Sequence, residues 1–168
     1  MGTVIKGLQE IKIGEAQESG ADPEVSTLIK IGMVYKETCE FLQDDPSVTE
    51  FYEEGESFPF ESTEEFGPVG LKAEIVVDNP DVLSLIGGSV EDGNWSIAEG
   101  KSVKKYVRFV TAQGKDFVAP NCKMYGKIVG KLTSKDILRV LVTFTPNSVE
   151  NGKPFRTIDK EVAGGGEG

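Results

Sequence analysis

The clearest pattern in the chain is an alternation of apolar and mostly polar residues from Leu71 to Asp78. Leu71, Ala73, Ile75 and Val77 share one parity, and Lys72, Glu74, Val76 and Asp78 share the other. A period of two belongs to a strand with one face on a core. Asn79 then offers a side-chain oxygen to cap a helix. Pro80 suits the first helical position, where a missing N–H loses no intrahelical bond. Asp81 complements the helix dipole, and Val82, Leu83 and Ile86 supply an apolar side. Gly87 or Gly88 can take the left-handed conformation that ends a helix. So short a helix is unstable alone, so it has to lie on the sheet.

The same reading predicts further strands. Residues 8–13 form one, followed by a small, polar, mobile loop over residues 14–23. Residues 24–31 read either as a helical turn or as an extended lead-in. Residues 33–42 predict a strand with Met33, Tyr35, Cys39 and Phe41 on one parity and Glu37 interrupting it. Residues 94–99 carry the sole tryptophan, Trp95. Residues 102–112 and 116–119 pair through a tight turn at Gln113-Gly114-Lys115. Residues 122–132 follow, twisted or bulged at Gly126 and Gly130. In residues 136–145, Leu138, Val140, Val142 and Phe144 form one face, and residues 153–162 add an edge strand. Many strands and one short helix predict a mostly β, antiparallel sandwich or barrel. Residues 1–162 are expected to be one domain, and residues 163–168, AGGGEG, a disordered tail.

Residues 44–68 break the pattern. No Lys or Arg occurs from Glu37 to Glu65, while acids recur throughout, with Phe51, Tyr52, Phe58, Phe60 and Phe66 set among them. Asp44-Asp45-Pro46 predicts a turn. Residues 49–53 and 57–62 predict the arms of a protruding hairpin turning at Glu54-Gly55. An isolated two-stranded hairpin is marginal in water. One reading is a solvated acidic loop whose aromatics tuck into their own domain. The other is an interaction element whose aromatics are buried by another subunit. On the second reading the interface residues are Asp44, Asp45, Glu50, Phe51, Tyr52, Glu53, Phe58 and Phe60.

Charge and composition narrow the chemistry. The chain has 168 residues, 18 Lys and Arg against 28 Asp and Glu, a net charge of −10 and no His. An acidic protein repels nucleic-acid phosphate. Without His, no Ser-His-Asp or Cys-His device can exist, and the commonest metal ligand is gone. Asp44-Asp45 with Glu53-Glu54 or Glu64-Glu65 imitates a glycosidase carboxylate pair, but acid runs are usually solvated. EF-hand spacing is absent. Gly87-Gly88 closes a helix rather than opening one, and no Gly-Lys-Ser/Thr follows, so it is not a phosphate loop. No enzyme activity, cofactor or metal is expected. Lys123, Lys127, Lys131 and Lys135 would form a stripe on a helix, but on the strand expected here they scatter. Cys39 and Cys122 read as reduced strand residues, a disulfide being open only if their strands adjoin. No apolar run approaches the roughly 20 residues of a membrane span, so no membrane partner is expected. The N-terminus lacks a charged-then-apolar secretory layout, so either export by that route is not expected or a leader has been trimmed from the sequence. Residues 101–139 are basic and residues 37–65 acidic. That division is either an accident of surface solvation or suited to head-to-tail self-association.

The order of elements resembles the major tail tube proteins of long-tailed phages, related in fold to the tubes of contractile injection machines and type VI secretion. The residues that carry the resemblance begin with Gly32-Met33-Val34-Tyr35, then Asp44-Asp45-Pro46 with Thr49-Glu50-Phe51. The strand over residues 71–77, the helix over 81–85 and the Gly87-Gly88 stop follow. A late hairpin and the strand over residues 138–144 complete it. The resemblance covers most of residues 31–146, and the short N-terminal arm departs from it. It implies a two-sheet β-sandwich or barrel of the tail-tube type with a short flanking helix. It implies hexameric rings stacked with the help of a long loop or hairpin, and an acidic lumen that conducts DNA without binding it. The implied partners are other copies of the chain and other tail proteins. The implied location is the virion tail, after assembly in the host cytoplasm. No catalytic residue is carried over. An inner-tube subunit of a contractile or type VI-like system is an alternative. So is a monomeric ligand-binding β-sandwich, for instance for carbohydrate, with Trp95, Tyr106 and Tyr125 as stacking residues.

Overall fold

A computed structural model of the chain describes residues 2–160. The glycine-rich tail expected at residues 163–168 lies outside the described residues. The strands are β1 (Lys6–Glu15), β2 (Ile29–Lys30), β3 (Met33–Val34), β4 (Glu40–Leu42), β5 (Ser47–Phe51) and β6 (Glu61–Glu65). They continue with β7 (Gly70–Val76), β8 (Gly87–Glu91), β9 (Asn94–Gly100), β10 (Val103–Gln113), β11 (Asp116–Val129), β12 (Arg139–Pro146) and β13 (Arg156–Ile158). Nine of them form one curled antiparallel sheet in the order β2-β1-β10-β11-β12-β7-β3, with β4 also on β7 and β13 also on β11. The pairs β5–β6 and β8–β9 stand apart as two-stranded hairpins.

One short segment joins the two edges of the large sheet. Ile29 and Lys30 pair with β1, and Met33 and Val34 pair with β7. Between them Ile31 is buried and its N–H donates to the Ile11 carbonyl at 2.9 Å. Gly32 makes the crossing possible. Its φ of 147° is one that side chains resist, and a Cβ there would lie 2.8 Å from Ile75 Cγ2. The sheet therefore closes on itself, barrel-like, around Ile11, Ile75, Val107, Met124, Val142 and Phe144, all fully buried. Phe109 meets Phe144 edge-to-face at 5.1 Å in this core.

β7 follows its sequence pattern, with Leu71, Ala73 and Ile75 buried. Asn79 Oδ1 accepts from the Asp81 N–H at 2.8 Å and caps helix α1 (Pro80–Leu83). A 3-10 turn over Ser84–Ile86 continues it. Residues three apart eclipse in that tighter helix, so Val82 and Leu85 are the buried pair, while Leu83 and Ile86 pack only partly. Gly87, with φ 121°, ends the turn and opens β8.

Two segments differ from the sequence reading. Residues 33–42 are not one strand: β3 and β4 both pair with β7, but residues 35–39 loop out between them. Glu37 takes φ 62° there, and the Glu74 N–H is satisfied by Thr38 Oγ1 at 3.1 Å instead of a ladder partner. The excursion resets the parity. Val34 and Cys39 pack on the core, while Met33, Tyr35 and Phe41 are exposed. Conversely, β11 runs unbroken through Pro120, where the sequence predicts two strands. A bulge absorbs the proline: Val107 pairs with Ala119 but Lys105 pairs with Cys122. Before the bulge β11 pairs with β13, and after it with β12.

A buried polar cluster fastens the C-terminal residues to the β10–β11 hairpin. Asp116 accepts from Arg108 at 3.0 Å, from Lys160 Nζ at 2.8 Å and from the Thr111 N–H at 3.0 Å. Burial pushes the Asp116 carboxyl upward, but these donors outweigh it and hold it below the usual carboxylate range.

Candidate interaction surface

The hairpin made by β5 and β6 is where the structure places the acidic, aromatic-bearing stretch. Ser47 pairs with Glu65, Thr49 with Thr63 and Phe51 with Glu61. The reversal lies where the sequence puts it: the Glu56 N–H donates to the Glu53 carbonyl at 3.0 Å, and Gly55 has φ 88°. The arms are not residues 49–53 and 57–62, however. Pro59 has no N–H for a ladder, so the second arm starts beyond it at Glu61, after the Phe60 N–H bonds to the Phe51 carbonyl at 2.9 Å.

Every residue from 43 to 66 except Pro59 is exposed. Phe58 is 82% exposed, Phe60 71% and Phe66 70%, with Phe51 and Tyr52 near half. The barrel leaves these rings uncovered. Asp44 and Asp45 lie in the root, where Gln43 Nε2 donates to the Gly67 carbonyl at 3.1 Å. Glu50 accepts from the Tyr52 hydroxyl at 2.8 Å, which raises the phenol above its ordinary value. Glu53 opens the turn. Val48 and Glu50 share one face with Ser62 and Glu64, and Phe51 shares the other with Glu61 and Thr63. Neither face is apolar throughout. Residues 44–68 carry nine acids and no Lys or Arg, so their mutual repulsion has no local relief. Each such ring would gain about 1.5–3 kcal/mol on full burial. The hairpin thus presents uncovered rings and unneutralised carboxylates together.

A second surface lies within the basic residues 101–139, whose lysines the sequence reasoning leaves scattered. After the bulge, Met124 points into the core while Lys123, Tyr125 and Lys127 point outward and are exposed. Thr145, Thr143 and Leu141 of β12 lie beside them in register, and Lys72 of β7 lies beside Thr143. The lysine repeat that reads as scatter thus places its first two members on one face, with Tyr125 between them. Lys131 and Lys135 lie beyond the strand, among exposed residues. The signal was the period of two, hidden by the parity change at Pro120. A shallow cleft joins this face to the hairpin root, lined by Gln43, Asp44, Pro68, Tyr125, Thr143 and Thr145.

The chain matches no known family model, and no curated protein matches it.

Other candidate chemistry has less to stand on. No three His, Cys, Asp or Glu side chains among the described residues come close enough to hold a metal ion. Cys39 and Cys122 are free thiols, pushed by burial to about 11 and about 12, where a thiolate nucleophile is scarce at neutral pH. Tyr106 is buried and donates to Asp22 at 2.7 Å. Trp95 is partly buried, its indole N–H bonded to the Gly87 carbonyl at 3.0 Å. Of the three proposed sugar platforms, only Tyr125 presents an exposed ring. No described helix is long and apolar enough to cross a membrane.

Proposed function

We propose that this protein is the structural subunit of a phage tail tube, assembling with itself into stacked hexameric rings whose acidic lumen conducts DNA. The observation that carries the reading is the β5–β6 hairpin, which exposes five aromatic rings among carboxylates that its own barrel neither covers nor neutralises. Aromatics concentrated on a projecting element are the composition of a subunit contact. A curled antiparallel sheet closed at its seam by residues 29–34 supplies a rigid body from which such an arm can reach. The net charge of −10 suits a wall past which a negative duplex slides without sticking. The partners are other copies of the chain and further tail proteins, and the site of action is the virion tail.

Negative-stain imaging of concentrated protein tests this. Rings about a central pore, or tubes built from them, are the expected result. Isolated particles of single-chain size at every concentration would overturn the reading.

A further inference from the structure

We propose that the outward face of β11, centred on Lys123, Tyr125 and Lys127, is the seat for the β6 strand of a second copy of this chain. The inference rests on the self-assembly reading above and says which two surfaces meet.

The two strands match residue for residue. On β11 the outward positions run Lys123, Tyr125, Lys127, and on β6 one face runs Glu61, Thr63, Glu65. Each charged pair is four residues apart on a strand, about 13 Å, because a strand advances about 3.3 Å per residue. Two carboxylates therefore fall over two ammonium groups when one strand lies along the other. The central positions bring Thr63 to Tyr125, a small polar residue against an amphipathic ring. Phe51, opposite Glu61, adds an uncovered aromatic to that hairpin face.

The lysines are available. Lys123 and Lys127 have no carboxylate within 4.0 Å among the described residues, and neither has Lys104, which pairs in register with Lys123. Lys72 has only a long contact, 3.9 Å to Glu40. Glu74, which lies in register beside Leu141, is engaged by Arg139. Three unpaired cations on an acidic protein, and a hairpin of unpaired anions on the same chain, are complementary charge.

The seat belongs to another copy rather than to the hairpin's own barrel. The hairpin root already lines the cleft beside Tyr125 and Thr145, yet every strand residue of β5 and β6 is exposed. The arm leaves the face instead of lying along it. From root to tip it spans ten residues, reaching about 30 Å at the same rise per residue. Covering the lysines also matters for the tube. A bare basic strip would hold DNA phosphate, whereas one masked by glutamates would not.

The test is a charge exchange read by sedimentation of concentrated protein. Lys123→Glu with Lys127→Glu should reduce assembly at least tenfold, and Glu61→Lys with Glu65→Lys should do the same. Mixing the two folded variants, or combining all four changes in one chain, should restore assembly, which damage to the fold could not do. Restoration confirms the contact. If the wild type assembles and the lysine variant assembles equally well, the proposed seat is wrong while the tube reading stands. Failure of both the mixture and the fourfold variant to assemble, with their melting temperatures unchanged, also overturns the seat. Binding of duplex DNA to wild-type monomer, abolished by the lysine changes, would mean that the face serves nucleic acid and would overturn it too. A wild type that stays monomeric sinks the tube reading itself, and this inference with it.

Discussion

Phe51 sits directly across from Glu61 in the β5–β6 ladder, and both side chains are exposed. An aromatic opposite an acid forgoes most of the cross-strand stabilisation that aromatic and β-branched pairs provide. No cross-strand pair of this hairpin joins two large apolar residues. Selection for stability of the isolated chain would favour a different pair. The arrangement makes sense where the aromatic and the acid are satisfied by a surface outside the chain.

The exposed rings can therefore be removed without harm to the barrel. Phe58→Ser with Phe60→Ser should change unfolding free energy by less than about 0.5 kcal/mol, as at surface sites free of special features. The same variant should fail to form assemblies by light scattering. A loss of stability above about 2 kcal/mol would show that the rings pack on their own domain.

The hairpin itself should be dispensable for folding. Replacing residues 50–62 with Asn-Gly joins Thr49 to Thr63 through a two-residue turn suited to paired strands. Of the removed residues only Pro59 is even partly buried, so the melting temperature should move by only a few degrees. The product should be a folded monomer at all concentrations. Normal assembly by this variant would show the arm to be ornament.

Ile75 is wholly buried on β7, against the seam residue Gly32 and the main core. Ile75→Ala should cost about 2–5 kcal/mol in denaturant unfolding. Its neighbour Val76 faces outward and is only partly buried, so Val76→Ala should cost much less. Equal losses at the two positions would contradict the closed core.

The Asp116 carboxyl is held below its usual range by its donors. A group depressed on folding stabilises the native state above its unfolded value, about 3.9 for Asp, and loses that contribution as pH falls through the folded value. Asp116→Asn leaves Arg108 and Lys160 without their shared carboxylate and should cost on the order of 3 kcal/mol at pH 7. The gap between variant and wild type should narrow as pH drops below about 4. A gap that stays constant down to pH 2 would show that the ionised carboxylate is not what holds the cluster.

The legible parts of the fold were the local ones. β7, the capped helix and β12 each announce themselves by a short, uninterrupted pattern, and the structure keeps all three. Long-range devices left weaker marks. The seam at residues 29–34 is only two residues of strand on each side, too short for a period to show. Pro120 reads as a strand break, but β10 and β12 hold β11 together across a bulge, so tertiary pairing overrides a local signal. The Arg108–Asp116–Lys160 cluster adds a residue distant in sequence, Lys160, to a pair within one hairpin, and follows no spacing. At the candidate interaction surface, the hairpin was visible because acids and aromatics crowd one stretch. The lysine face was not, because the parity change at Pro120 hides the period of two that puts Lys123, Tyr125 and Lys127 on one side of β11.

Amide hydrogen exchange across β5 and β6, followed as protein concentration rises, tests the central claim most directly. In dilute protein these amides should exchange fast, as expected of an uncovered hairpin, while β7 and β12 stay protected. The account predicts that protection of β5 and β6 grows with concentration as copies assemble, and that added salt reverses part of it by screening the charges. Fast exchange in β5 and β6 at every concentration, or protection already complete in the dilute monomer, would contradict it.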